Sequence, residues 1–142
     1  MKFNQTIAFL LGLVLLAGCG RNIVTECEPQ EQKPILERTT FSSIQRDVFT
    51  PSCAISGCHA GKNAPYGLDL SADVAYANLV NVASGEQPGM LRVAPGKSSE
   101  SFLIKKLLGQ NTSRMPPAPA PPLDASVIDS IRAWIDRGAP QD

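Results

Sequence analysis

Cys53-Ala54-Ile55-Ser56-Gly57-Cys58-His59 is the stretch on which the reading of this 142-residue chain turns. It contains two of the four cysteines and the single histidine. An imidazole directly after one thiol, with a second thiol upstream, is the arrangement that attaches haem c. The thiols add to the vinyl groups of the ring, and the imidazole reaches the iron as proximal ligand. The common form has two residues between the cysteines; here Ala54, Ile55, Ser56 and Gly57 intervene. The chemistry needs two thiols at the vinyls and an imidazole below the iron, and a longer loop can bulge outward, with Gly57 easing the turn. Two other chemistries use the same residues. In an oxidising compartment Cys53 and Cys58 form a disulfide, and His59 is an ordinary surface imidazole. Zinc held by Cys27, Cys53, Cys58 and His59 has the correct ligand types, although adjacent Cys58 and His59 are awkward for one tetrahedral centre.

The chain opens like an exported protein. Lys2 is a short positive region, and Ile7 to Leu16 is an apolar run too short to span a membrane as a mature helix. It ends in Leu16-Ala17-Gly18-Cys19, which resembles the lipobox of bacterial lipoproteins. That resemblance implies a signal peptide over 1–18 and a diacylglyceryl group on Cys19. Gly20 follows, without an aspartate to signal inner-membrane retention, so an outer-membrane anchor in a bacterial envelope is expected. Residues 19–38 carry Pro29 and Pro34 and no sustained periodicity, and read as a lipidated flexible tether. A coil of that length reaches about 25 Å from the membrane. Thirteen basic residues stand against thirteen acidic ones, which gives no field for nucleic acid. Residues 39–142 are enough for one small domain, whose limited core gains from a covalent staple or a large apolar cofactor.

The pattern in 39–142 is all-α, with about four short helices and long irregular loops. Thr40 is a plausible N-cap for a helix that turns Phe41, Ile44 and Val48 inward and stops at Pro51. Leu68 and Leu70 alternate with Asp69 in a short extended piece. Ser71 caps a second helix over 72–80, with Val74, Tyr76, Leu79 and Val80 inward. Ser98 or Ser99 caps a third, set by Phe102, Leu103, Lys106 and Leu107 and ended by Gly109, with Lys106 at the edge of the buried face. Met115 to Pro122 has polyproline character. Asp124 or Ser126 caps a last helix with the stripe Val127, Ile128, Ile131, Trp134 and Ile135.

This order resembles class I cytochrome c and, more closely, small bacterial domains of the planctomycete-type cytochrome c family. The similar segments are Val48-Phe49-Thr50-Pro51-Ser52-Cys53, Cys58-His59-Ala60-Gly61, Gly67-Leu68-Asp69-Leu70, Val93-Ala94-Pro95-Gly96 with Ser98 and Ser101, Arg114-Met115-Pro116-Pro117, and Ile131-Arg132-Ala133-Trp134-Ile135 to Gly138-Ala139. The resemblance implies one covalent haem c, with thioethers from Cys53 and Cys58, His59 as proximal ligand and Met115 as distal ligand. Met90, or an open sixth position, is the alternative to Met115. Trp134, Phe49 and Leu107 would wall the haem or its flanking core. The function implied is single-electron transfer, not bond-making catalysis, between redox proteins of a respiratory or periplasmic chain. The alternative is a haem-free lipoprotein, stapled by Cys53–Cys58, acting as a binding or structural module.

Overall fold

Thr40 caps the first helix with a reciprocal box: its hydroxyl accepts from Ser43 N at 3.0 Å, and the Ser43 hydroxyl accepts from Thr40 N at 3.1 Å. The computed structural model describes residues 39–142. The expected signal peptide and tether, with Cys19 and Cys27, lie outside the described residues.

The first helix starts as α1 (Phe41–Ile44), widens into a π-helical stretch (Gln45–Phe49) and closes with the turn α2 (Thr50–Ser52). The wider turn changes which side chains point inward. Regular α spacing puts Val48 on the face of Phe41 and Ile44, but the π stretch carries Phe49 there, 1% exposed, while Val48 only packs against the core from its edge. Pro51 does not stop this helix. It sits in the first turn of α2, where a missing N–H costs nothing, and the helix runs on to Ser52.

The second helix is shorter than its sequence pattern suggests. Residues 72–74 form a turn, and α3 (Ala75–Leu79) follows with Ala75 and Leu79 buried. Val74, expected inward, is 40% exposed because it precedes the helix. Two isolated bridges, Val80 with Val93 and Ala83 with Leu91, hold the chain after α3, and no strand occurs among the described residues. Ser98–Glu100 is a 3-10 turn, so the N-cap of α4 (Phe102–Leu108) is Ser101 and not Ser98 or Ser99. Buried Ser101 does not cap with its hydroxyl, which instead accepts from Ala94 N at 2.9 Å and donates to Lys97 O at 3.0 Å. Gly109 ends α4 in the left-handed region, φ +67°. Asp124 is the N-cap position of α5 (Ala125–Asp136), whose Ile128, Ile131, Trp134 and Ile135 are buried.

The described residues are thus all-α, with one core under the helices. The first and last helices meet where Phe41 faces Trp134 at 5.5 Å between ring centroids, and Phe41 also meets Tyr76 edge-on at 5.1 Å. Asp136 on α5 accepts from Ser98 N and Ser98 Oγ, both at 2.9 Å, and so fixes the turn that feeds α4. No helix among the described residues is long and apolar enough to cross a membrane.

Trp134 is wholly buried, and its Nε1–H donates to Pro140 O at 2.9 Å. Trp134→Ala should therefore cost about 3–5 kcal/mol of unfolding free energy, through lost contacts and a cavity. Chemical denaturation followed by circular dichroism reads that loss; a change below about 1 kcal/mol would mean that the helix crossing does not depend on this ring.

Candidate functional site

The first helix delivers its C-terminus directly into the cysteine segment. Cys53 N and Ala54 N both donate to Phe49 O, at 2.9 and 2.7 Å. The intervening loop then folds on itself: Cys58 N donates to Ile55 O at 3.0 Å, and His59 N donates back to Cys53 O at 3.1 Å. Gly57 takes φ +81° in this turn, where a residue with a Cβ would be strained. The four residues between the thiols therefore form a closed, outward turn. Cys53 is half-buried, Cys58 is exposed, and both thiols are free. Burial, and secondarily the neighbouring Cys58, push the Cys53 thiol up to about 11.

His59 is held from two sides. Leu70 N donates to its carbonyl at 2.8 Å, and Leu70 O accepts from Gln45 Nε2 of the first helix at 2.9 Å. Its ring Nδ1 lies 3.0 Å from Leu68 O. A carbonyl only accepts, so Nδ1 carries the hydrogen, and in a neutral ring the lone pair then sits on Nε2. This bond orients a ligating imidazole in many metal sites.

A cavity of about 80 Å³ is lined by His59 and Met115 together, with Leu68, Phe102, Arg92 and Lys106 among its other walls. Met115 reaches it because its backbone N donates to Lys106 O at 2.9 Å, which pins the chain after α4 against that helix. Met90 lies elsewhere, in an open cleft of about 560 Å³ with Asn81, Pro95 and Lys105. The structure thus brings His59 and Met115 to one cavity and leaves Met90 outside it. Phe49, Leu107 and Trp134 belong to the core and do not line this cavity.

Sequence reasoning missed the polar wall. Lys106, expected at the edge of the buried face, is 9% exposed, and its Nζ donates to Glu86 Oε1 at 2.8 Å and Thr112 Oγ1 at 3.2 Å. Hydrogen bonds from Lys106 and then Thr112 hold Glu86 below its usual range, against the desolvation that opposes them. Tyr66, held at φ +54°, lies over Gly85, where an added Cβ would sit 3.2 Å from the tyrosine Cβ. Arg92 interrupts the apolar run Leu91 to Ala94, the signal by which it could have been singled out. Among the described residues no three of His, Cys, Asp and Glu form a metal-binding group; Cys27, the remaining member of the zinc set, lies outside them.

No protein-family model matches the chain, no curated protein matches it, and no solved structure matches it.

Two predictions come from these environments. In the reduced protein, iodoacetamide near pH 8 should label Cys58 about tenfold faster than Cys53, because Cys53 is half-buried and holds its proton. Peptide mass spectrometry reads the two rates, and equal labelling would contradict the burial of Cys53. Glu86 titrates below its unfolded value, so its contribution to stability is present above the unfolded pKa and disappears as pH falls through the folded one. Acid should therefore destabilise Glu86→Gln less than the wild type below pH of about 4, as followed by thermal unfolding at several pH values.

Proposed function

We propose that this chain is a lipid-anchored monohaem c-type cytochrome, a small cytochrome c-like domain that carries single electrons between redox proteins outside the cytoplasm. The observation that carries the proposal is the shared cavity of His59 and Met115, with the His59 Nδ1 hydrogen committed to Leu68 O. One nitrogen and one thioether facing a common space are the donor set of a six-coordinate haem iron with raised potential.

The chain's residues fit that group in kind. Cys53 and Cys58, which stand beside the cavity in sequence without lining it, would hold it through thioethers, His59 and Met115 through the iron, and Leu68, Pro65 and Phe102 would supply apolar wall. The haem supplies the change of oxidation state, and the protein supplies ligation and a low-dielectric surround. The cavity is small beside the roughly 300–1,000 Å³ of ordinary ligand sites. Accommodating a ring would displace the wall formed by the Tyr66 turn and the Ser84–Glu86 segment, which Arg92 and Lys106 tie to the body. Cys19 would carry the lipid and residues 19–38 would act as the tether, placing the carrier at an envelope membrane, the outer one by its Gly20. Nothing in this reading requires bond-making catalysis.

The test is an intact mass and a reduced pyridine haemochrome spectrum on protein made in a host with haem c maturation. Haem mass retained after denaturation, with a c-type spectrum, is expected, and Cys53→Ser and Cys58→Ser should each remove one thioether. Met115→Ala should abolish the sulfur-to-iron charge-transfer band and leave the haem attached; a surviving band would reject Met115 as ligand. A colourless protein, lighter by two hydrogens after oxidation, would replace this reading with a haem-free lipoprotein stapled by Cys53–Cys58.

A further inference from the structure

Gln45 is a buried amide in a helix whose other buried residues, Phe41, Ile44 and Phe49, are apolar. It is 7% exposed. Its Nε2 donates to Leu70 O at 2.9 Å and to Thr50 Oγ1 at 3.2 Å, while Oε1 is buried with no hydrogen-bond partner among the described residues. Leu70 O only accepts, so the NH2 end faces it and the oxygen is the end left over. An unpaired buried acceptor costs stability, so core packing alone does not account for a glutamine here. The helix is also distorted at this residue. Thr50 N donates to Gln45 O over five residues, the π-helical spacing, and the Thr50 hydroxyl receives the second amide hydrogen.

Leu70 ends the short strip that holds His59. Leu70 N donates to His59 O at 2.8 Å, and Leu68 O lies 3.0 Å from His59 Nδ1. Gln45 grips this strip at Leu70 O, and Asn78 of α3 grips it at Asp69 O, from Nδ2 at 2.8 Å. Neither anchor belongs to the Tyr66 turn or to the Ser84–Glu86 segment, the wall that a bound ring would displace. The strip is thus held from the first helix and α3 while the turn before it is free to shift.

Resting on the haem reading, we infer that Gln45 is a positioning residue for His59: from the first helix it holds the Leu68–Leu70 strip, and with it the carbonyl that takes the Nδ1 hydrogen. The imidazole then keeps its lone pair on Nε2, in one orientation. A firmly held acceptor at Nδ1 makes an imidazole a stronger donor through Nε2, and a stronger donor favours oxidised iron. Loosening the strip should therefore raise the potential.

The experiment uses the full-length protein from a host with haem c maturation, in the reduced state, as wild type, Gln45→Met and Gln45→Asn. Met fills a similar volume without a donor, and Asn keeps the amide but withdraws it by one methylene. NMR reads the solvent exchange of the His59 Nδ1 hydrogen against that of the Ile131 amide, which sits in α5 at a buried residue and reports general loosening. In both variants His59 exchange should quicken about tenfold relative to Ile131, and the midpoint potential should rise. An unchanged ratio in both variants would overturn the inference, whatever the potential does. A quickened exchange with an unmoved potential would uphold the positioning and overturn the effect on the iron. If Gln45→Met does not fold, Gln45→Asn decides. Wild-type protein without covalent haem would overturn the proposed function and the effect on the iron; the exchange ratio would still decide whether Gln45 holds the ring.

Discussion

The contact between Phe41 and Trp134 is the constraint on which the rest of the domain depends. The two rings lie 5.5 Å apart near the start of the first helix and the end of the last, and Phe49 and Tyr76 complete the cluster around Phe41. Such pairs add about 0.5–1.5 kcal/mol each beyond the area they bury. Their larger effect is geometric. With both helix ends fixed, the first helix aims its C-terminus at Cys53, and α5 presents Asp136 and Ile135 to the turn before α4. Gly96 N donates to Ile135 O at 2.8 Å, so the loop entering α4 hangs from the last helix. A chain with few helical residues between its ends thereby acquires two fixed platforms.

Each ligand candidate stands on a different platform. His59 belongs to the first helix, through Phe49 O, Cys53 O and the Gln45 to Leu70 to His59 relay. Met115 belongs to α4, through Lys106 O. The irregular segments between them are not loose, because buried polar groups take the place of regular ladders. Ser101 joins the chain before α4 to the helix, Arg92 joins α3 to the Tyr66 turn, and Tyr76 OH donates to Ala139 O at 2.8 Å. Every such bond satisfies a group that would otherwise cost about 1–3 kcal/mol if buried alone.

The helices were legible in the sequence because their signals are local: Thr40 as an N-cap, a Gly109 stop, and a 3.6-residue stripe from Val127 to Ile135. The errors fall where tertiary contacts override periodicity. The π stretch moved the inward position from Val48 to Phe49, and the 3-10 turn at Ser98–Glu100 moved the α4 cap to Ser101. The titratable wall of the cavity was hardly legible. Glu86 and Arg92 lie on the loop after α3 and Lys106 on α4, and the three line one cavity only because that loop folds back over α4. The Met-Pro context singles out Met115 in the sequence; that Met115 lines one cavity with His59, and Met90 another cleft, came only from the fold.

The separate anchoring of His59 and Met115 has an energetic consequence under the proposed function. A ligand that bonds both side chains links the first helix to α4 directly, across the wall where the packing leaves a cavity. Binding free energy at such a site appears as folding free energy, since the unfolded chain does not hold the two side chains together. The thioethers would reinforce this on one side only, at Cys53 and Cys58 beside the first helix. The Met115 side would rest on one backbone hydrogen bond to Lys106 and on the ion pair of Lys106 with Glu86. Under that reading the Met115 side would be the more weakly tethered half of the site, since no covalent bond would hold it.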